Sequence, residues 1–412
     1  MDGLQTQLKI AIGSGDIAAV ESLIGDHPAL LDDVGKWWGN GLHTRFVSVE
    51  MARLLADRGA PVSVHAAAGL GLMDHLARLL AADPKLINAK GCDACTPLHF
   101  ARNVEIASVL LDHGARIDAR DEDHESTPAQ WLIGQAPEVA HFLLTRGAQP
   151  DIFLAAALGD RALAEKLIAA NPACLTQRIG RAPNFPPIGH QSHGGTIYQW
   201  SLAFNSYPHQ IALLKGHGEL FNYLYARSDT ATRLLVSCVL AHREEAEAIV
   251  AQHPDLVPSL APADLELVAR YCWETNTNYD SVKLMLDIGF PVAHPERSHG
   301  YTPLHNAAWA GSADLVELLI ARGHPLDIRD PRFKSTPLGY ALHDCLVEKR
   351  HPEGEFARVV GALIDAGCAW EATIYPTGNT GVDEVLRVRL KRPADSGPKT
   401  SGADASTDTP ES

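Results

Sequence analysis

The alternation of apolar and polar positions is most regular between Gly300 and Asp330. Two short series follow each other there, each at the three- and four-residue spacing of one helix face: Leu304, Ala307 and Ala308, then Leu315, Leu318 and Leu319. Thr302 before Pro303 is a favourable helix start, Gly311 separates the two series, and Gly323 suits the left-handed residue that ends a helix. The stretch predicts a hairpin of two helices. Such a hairpin is too thin to bury its own apolar face, so it needs copies of itself on either side.

We call the first helix of this hairpin the inner helix and the second the outer helix. The outer helix ends in an apolar pair that is usually followed by Gly or Pro, and this signature recurs along the chain. It marks eleven reference positions: Ile24, Leu55, Leu80, Leu111, Leu144, Ile168, Leu224, Val250, Leu286, Ile320 and Ile364. Several intervals between them run from 31 to 36 residues, but three are only 25, 24 and 26 residues long, starting at Leu55, Leu144 and Leu224. The short intervals have no room for the β-turn finger of a unit of about 33 residues. The sequence therefore predicts a mixture of long and short hairpin units.

A second motif marks the start of the inner helix in four units. These are Thr96-Pro97-Leu98-His99, Thr127-Pro128-Ala129-Gln130, Thr302-Pro303-Leu304-His305 and Thr336-Pro337-Leu338-Gly339. Together with the period, the motifs resemble the ankyrin repeat. The resemblance is clear from Gly300 to Asp330 and around Thr96, Thr127 and Thr336, and it rests on periodicity elsewhere. The resemblance implies an all-α ankyrin-repeat solenoid of about eleven helical-hairpin units, with some β-turn fingers and one central irregular insertion. It also implies recognition of a protein partner without chemistry.

Two regions depart from the repeat. The longest interval between reference positions is 56 residues, which leaves roughly one repeat's length of extra chain. We therefore place an insertion at 177–203, between N-terminal repeats at 1–176 and C-terminal repeats at 204–390. Residues 391–412 contain nothing that a core could bury, and we expect a disordered tail there.

Charge and composition narrow the classes of partner. The 412-residue chain has 35 basic and 50 acidic side chains, and its formal charge of −15 opposes the phosphates of nucleic acid and of anionic lipid surfaces. Its 7 cysteines are an odd number scattered along the chain, unlike a disulfide framework. No run of about eighteen apolar residues is present in the sequence. We predict a cytoplasmic protein with no nucleic-acid partner and no membrane partner.

Two sets of residues with ligand chemistry are interpreted as structural. His99 and His305 lie three residues after a capping Thr, where the ankyrin resemblance implies that the ring bonds the cap and bridges to the neighbouring unit. Cys92 and Cys95 have the spacing of a zinc or redox pair, but no second Cys or His pair lies at a matching distance. We predict no metal and no cofactor.

The insertion contains the sharpest chemical candidates. His190 and His193 precede a glycine pair, and imidazole titrates near neutral pH, so they are weak candidates for proton transfer. No acid, nucleophile or metal spacing completes a catalytic set around them. Thr196–Trp200 is predicted to form a short strand. The candidate ligand-binding residues, which include an aromatic pair placed at a finger tip, are Trp37, Trp38, His190, His193, Tyr198, Trp200, Tyr207 and His209.

Two functions follow from these patterns. In the first, the chain is a binding scaffold that mediates protein–protein interaction through its concave face. In the second, it is a small-molecule enzyme or receptor, with a pocket built by the 177–203 insertion and the Trp37–Trp38 finger against the repeat groove. We favour the scaffold over an enzyme by family analogy, because no site in the sequence decides between them.

Overall fold

A computed structural model describes residues 2–179, 196–273, 278–297, 299–351, 354–370 and 375–390. These ranges consist of helices and turns and contain no strand element. None of the helices in them combines the length and the apolar character needed to cross a bilayer. The chain divides into two compact units, residues 1–232 and 233–412.

The described part of the first unit is a succession of short helices. In chain order they are α1 (Asp2–Ser14), α2 (Ile17–Asp26), α3 (Leu30–Trp38), α4 (Val49–Asp57), α5 (Val64–Leu70), α6 (Met73–Ala82), α7 (Val104–Asp112), α8 (Pro128–Leu132), α9 (Pro137–Thr145), α10 (Ile152–Leu158), α11 (Arg161–Ala170), α12 (Tyr198–Ser201), α13 (Pro208–Leu214) and α14 (Gly218–Arg227). Single 3₁₀ segments lie at Thr44–Phe46, Pro84–Asn88, Cys92–Ala94, Pro97–Phe100 and Pro172–Thr176.

Helix α15 (Thr230–Val239) contains the division between the units, and the second unit continues in the same manner. Its helices are α16 (Arg243–Gln252), α17 (Leu256–Ser259), α18 (Pro262–Leu265), α19 (Leu267–Arg270), α20 (Tyr279–Asp287), α21 (Pro303–Trp309), α22 (Ala313–Ala321), α23 (Pro337–His343), α24 (Phe356–Asp365) and α25 (Thr380–Leu390). A π-helical turn, Asp344–Glu348, follows α23 directly.

The hairpin predicted from Gly300 to Asp330 forms as α21 and α22. Thr302 caps α21 in a capping box with Pro303 at the first helical position. Ala307 and Ala308 are fully buried, and their small side chains let α21 lie against α22 and α23. All eleven reference positions lie in α-helices. The hydrophobic period thus located the outer helices along the whole chain, and the all-α repeat architecture is confirmed.

The long and short units differ as the spacing predicts. In the long units a finger loop is closed by a backbone bond, as from the Asp121 N–H to the Ser126 carbonyl at 3.2 Å and from Asp330 to Ser335 at 3.0 Å. In the short units the side chain of Ser63 caps α5 only four residues after Gly59, so no finger forms. The fingers are therefore distributed unevenly along the repeats.

Two local predictions were wrong. Trp37 and Trp38 do not lie at a finger tip but form the last turn of α3. The spacing of four places Val34 and Trp38 on the same helix face, and both of these side chains are buried. The segment Thr196–Trp200 is not a strand. Its Thr196 hydroxyl accepts the N–H of Tyr198 at 3.0 Å, which starts the single turn α12.

Candidate functional site

The histidines of the Thr-Pro-Leu-His motifs connect neighbouring repeats by hydrogen bonds. Nδ1 of His99 accepts the Thr96 N–H at 3.0 Å, and its Nε2 lies 3.2 Å from the carbonyl of Ser126 in the next repeat. His305 repeats this arrangement, with its Nε2 3.2 Å from the Ser335 carbonyl. Burial lowers the pKa of His99 to about 4 and also lowers that of His305. Neutral imidazole suits this bridge, which needs one acceptor and one donor nitrogen.

One group of potential metal ligands surrounds the first of these bridges. Single ligand atoms of Cys95, His99 and Asp121 lie within 4.8 Å of one another, all buried. The Asp121 carboxylate accepts the His124 N–H at 2.5 Å and the Trp131 indole N–H at 2.7 Å. Both ring nitrogens of His99 are engaged as described above. Burial also raises the pKa of the Cys95 thiol, which opposes the thiolate that a metal requires.

The second unit contains the same arrangement without the cysteine. Asp330 accepts N–H groups of its own finger, from Arg332 at 2.8 Å and Phe333 at 2.7 Å. His305 bridges to this finger, and Tyr301 occupies the position of Cys95 before the capping Thr. The architecture of the finger therefore accounts for the paired His and Asp in both places.

The two adjacent tryptophans of α3 stabilise the first hairpins. Trp38 is fully buried, and its indole N–H donates to the Pro61 carbonyl at 2.8 Å. Trp37 stacks on His43 with a centroid distance of 5.6 Å, and the Lys9 ammonium lies 5.9 Å from its ring. Trp37 also lines a hollow of about 290 Å³ together with residues of α1. The core that contains Trp38 is formed by α1 to α5 and the residues between them, and it ends at Leu72.

The candidates from the insertion have different surroundings. Tyr198 is fully buried, and its hydroxyl donates to Asp151 at 2.7 Å. Trp200, two residues later, is 76% exposed. His190 and His193 lie outside the described residues, so their role in proton transfer or ligand binding stays a prediction.

The remaining two candidates lie at the start of α13. Tyr207 is buried, and its N–H donates to Gln210 at 3.0 Å. His209 is fully buried with Nε2 2.8 Å from the Ser228 hydroxyl, and burial lowers its pKa to about 4. The two rings contact each other at a centroid distance of 6.4 Å. Tyr198 belongs to the core cluster that runs from α5 to α14, whereas Trp38 belongs to the N-terminal one.

Asp151 holds the returning end of the insertion on the first unit. One of its oxygens accepts the N–H groups of Phe153 and Leu154 at the start of α10. The other accepts the Gln130 amide at 3.0 Å and the Tyr198 hydroxyl at 2.7 Å. Burial raises the pKa of Asp151, and the four hydrogen bonds oppose this effect because they favour the ionised form. Through this residue, Tyr198 is tied to two successive inner helices, α8 and α10.

The second unit has a hollow of about 280 Å³ on its inner helices, which we call the aromatic recess. Its lining comes from the end of α21, a finger tip, α23 and the π-turn: Trp309, Phe333, Ser335, Gly339, Tyr340, His343 and Glu348. The ring of Trp309 lies 5.5 Å from that of Tyr340 and 5.9 Å from that of His343. Phe333 is 60% exposed at the finger tip. Large rings therefore form the walls, and one of them extends into solvent.

Polar groups in the recess are only partly paired. Among the described residues, the buried Trp309 Nε1 has no hydrogen-bond partner. No described group lies at hydrogen-bonding geometry from the Tyr340 hydroxyl either, although burial, with Tyr301 and Asp330 nearby, raises the pKa of that phenol. Glu348, by contrast, lies 3.2 Å from His343 Nε2 and 2.5 Å from Arg350 Nε. The Trp309 N–H is therefore a buried donor in an apolar setting that a ligand could satisfy.

The recess exists because one repeat lacks the bridging histidine. Gly339 stands three residues after Thr336, where His99 and His305 stand in their own repeats. A Cβ at Gly339 would collide with the hydroxyl of Ser335. The replacement removes an imidazole from the wall and leaves Tyr340 facing open space.

A larger hollow of about 600 Å³ lies beyond the π-turn, but its polar groups are engaged within the chain. Arg358 is paired with Glu317 and Asp314, both at 2.7 Å. The Asn379 amide donates to the Cys345 sulfur at 3.1 Å. The aromatic recess is therefore the better candidate site.

Sequence reasoning missed the recess, although one signal for it was present. Trp309 lies within the hairpin from Gly300 to Asp330 and Tyr340 follows the Thr336 motif, so the repeat pattern alone gives neither a separate role. The change from Thr-Pro-Leu-His to Thr-Pro-Leu-Gly at Gly339 was the visible sign that a bridging side chain is missing. Its consequence depended on which rings the fold places around the vacated position.

Comparison with known proteins connects these features to one family. Residues 285–341 match the family model described as ankyrin repeats (many copies), and residues 93–122 match that of the ankyrin repeat. The E3 ubiquitin-protein ligase KEG of Arabidopsis thaliana is 22% identical over 277 residues, which is 62% of this chain and 16% of that protein. Ankyrin repeats serve in general as protein-interaction modules. With α-helices at all eleven predicted outer-helix positions and two matched segments, the chain is built from ankyrin repeats.

Proposed function

We propose that this chain binds a partner protein through the concave face formed by inner helices and fingers, with the aromatic recess as the anchor. The observation that carries the proposal is the exposed Phe333 ring at the rim of a hollow walled by Trp309 and Tyr340. Large exposed aromatic residues beside such a hollow are typical of interface anchors, because one inserted side chain can become fully desolvated there.

The chemistry of the recess favours binding over catalysis. Its carboxylate, Glu348, is held by His343 and Arg350. Ser335 contributes a hydroxyl group to the lining, which could serve as a nucleophile. The charged residue next to it in sequence, Lys334, has an exposed side chain. No triad of nucleophile, base and orienting group is assembled among the described lining residues. The unpaired Trp309 N–H instead suits a carbonyl oxygen of a bound peptide.

Site-specific photo-crosslinking in cell extract tests this proposal. A photoreactive benzoylphenylalanine placed at Phe333 should give discrete adducts with one or a few proteins. The matched control places the same residue at Ala321, which is exposed on the outer helix α22. Identical adducts at the two positions, or no adduct at Phe333, would remove the recess as the anchor.

The small-molecule alternative keeps its own test. The insertion site around His190 and His193 stays a prediction, and Tyr198 already donates its hydroxyl to Asp151. If the two histidines serve a ligand, His190→Ala and His193→Ala should leave the thermal unfolding midpoint nearly unchanged. A loss of several degrees would instead assign them to the stability of the fold.

A further inference from the structure

The rim of the aromatic recess is basic, although the chain as a whole carries a formal charge of −15. Five exposed cations lie between residues 329 and 350. Arg329, Arg332 and Lys334 belong to the finger, and Lys349 and Arg350 follow the π-turn, where Lys349 also lines the hollow of about 600 Å³. Two of them touch recess walls, since the Arg332 guanidinium lies 4.9 Å from the Phe333 ring and that of Arg350 lies 5.8 Å from the Trp309 ring. The recess is therefore approached past positive charge.

The three acidic residues in the same segment are occupied within the chain. Asp330 is fully buried and accepts backbone N–H groups of its own finger. Asp344 is also fully buried, and His351 Nδ1 lies 3.1 Å from its carboxylate. Glu348 is paired with His343 and Arg350. Arg350 is offset by Glu348, whereas Arg329, Arg332, Lys334 and Lys349 form no ion pair with a described residue. These four cations favour an approaching anion.

The first unit shows how such a surface can hold a peptide segment. Ser126 and Ser335 both stand immediately before a capping Thr. The Ser126 hydroxyl accepts the N–H of Ile197, which is buried together with Tyr198 against α8. In that repeat the occupant is the chain's own insertion, and it contributes one short turn with branched and aromatic apolar side chains.

We propose that the aromatic recess receives an acidic segment of a partner protein, which inserts one apolar side chain between Trp309, Phe333 and Tyr340. Carboxylates that flank this side chain meet Arg332, Lys334 and Lys349. The Trp309 N–H and the Ser335 hydroxyl bind main-chain groups, as the Ser126 hydroxyl binds the Ile197 N–H. The inference rests on the proposed function and names the chemical class of its partner.

The test is a selection of random dodecapeptides displayed on phage against the full chain. We expect the selected peptides to be enriched in Asp and Glu around one aromatic or branched apolar residue. Binding of a labelled selected peptide should weaken at least tenfold in the variant R332E/K334E/K349E and should fall with rising salt. F333A should also weaken it at least tenfold.

A matched control separates the site from the total charge. R78E/K85E/K166E reverses three exposed cations of the first unit and alters the net charge equally, so it should leave the binding of the same peptide within about twofold. The neutral variant R332Q/K334Q should give an intermediate loss, and unfolding midpoints near that of the parent chain will show that each variant is folded.

Three results would overturn the inference: selected peptides that are neutral or basic, equal losses in the two triple variants, or a selection that yields no binder. Crosslinking at Phe333 reports on the proposed function separately. An adduct there with a partner whose crosslinked segment is not acidic would retain the interaction site and reject its acidic specificity.

Discussion

The Thr127 repeat of the first unit and the Thr336 repeat of the second present the same surface, closed in one and open in the other. Ser126 and Ser335 are equivalent by position, but Ser126 bonds the returning insertion while Ser335 lines the recess. The aromatic residue that follows the four-residue motif, Trp131 in one repeat and Tyr340 in the other, also differs in its hydrogen bonding. Trp131 donates its N–H to Asp121 at 2.7 Å, whereas the Tyr340 hydroxyl forms no hydrogen bond of such geometry with a described residue.

A further pair of equivalent positions shows how the two surfaces are made. Gly134 in the closed repeat corresponds to His343 in the open one. A Cβ at Gly134 would lie 2.7 Å from the backbone oxygen of Ser201, so the insertion requires a glycine there. His343 instead stacks on Trp309 at 5.9 Å. A few side-chain choices on one backbone thus decide whether the inner face is covered by its own chain or left for another.

Acid should produce the largest effect, and it should act on both units. Burial lowers the pKa of His99 and His209 in the first unit and of His324 in the second to about 4. The unfolded chain takes up these protons near pH 6.5, so the stabilisation is complete above that pH and is lost as the pH falls toward 4. Each histidine contributes a loss of about 1.4 kcal/mol per pH unit in this window.

Thermal unfolding followed between pH 7.5 and 4.5 measures this loss. His99→Gln introduces at this position the residue type that stands at the equivalent position, Gln130, in the next repeat. Because glutamine does not titrate, the unfolding midpoint of this variant should fall less steeply with decreasing pH. An unfolding midpoint that stays constant from pH 7 to pH 5 would contradict the burial of these imidazoles in neutral form.

Removal of the carboxylate at Asp151 should have the next largest effect. Asp151→Ala leaves Tyr198, Gln130 and the start of α10 without their acceptor. We expect a loss of about 3 kcal/mol or more in the free energy of unfolding, since several buried donors lose their partner together. Ser335→Ala in the open repeat should change it by less than about 0.5 kcal/mol. Equal losses in these two variants would remove the distinction between a closed and an open repeat.

The two tyrosines provide a closely matched comparison. Tyr198→Phe removes a hydroxyl that donates to a buried carboxylate, and we expect a cost of about 1.5–3 kcal/mol. Tyr340→Phe removes a hydroxyl with no hydrogen-bond partner among the described residues, so the cost should stay within about 0.5 kcal/mol. Unfolding midpoints of the two variants check this, and a larger loss for Tyr340→Phe would reverse the assignment.

The smallest effects are expected at the two glycines. In Gly134→Ala the new methyl meets the backbone of Ser201, which can move only if the insertion moves, so we expect a cost of about 1–3 kcal/mol. In Gly339→Ala the methyl meets the rotatable hydroxyl of Ser335, and the helix gains the higher propensity of alanine. Its net effect should lie within about 1 kcal/mol, with weaker binding of peptides to the narrowed recess. Greater destabilisation by Gly339→Ala would contradict this.

The sequence predicted the architecture but little of the candidate site. Apolar pairs such as Leu318 and Leu319 recur near the end of each outer helix, so their period located these helices. The repeat pattern misplaced Trp37 and Trp38 at a finger tip, whereas the four-residue spacing from Val34 puts Trp38 on the buried face of α3. Candidates in the insertion were grouped by their closeness in sequence. The structure buries Tyr198 against Asp151, 47 positions earlier, and leaves Trp200 exposed.

By itself the sequence determined that this protein is a succession of helical hairpins along the chain, because a repeated apolar stripe can be buried only against a copy of itself. Only the tertiary structure decided which inner face is covered. That outcome depends on contacts between residues far apart in the chain, such as Ser126 with Ile197, which no local period encodes. The aromatic recess likewise required Trp309 and Tyr340, 31 positions apart, to be brought to 5.5 Å.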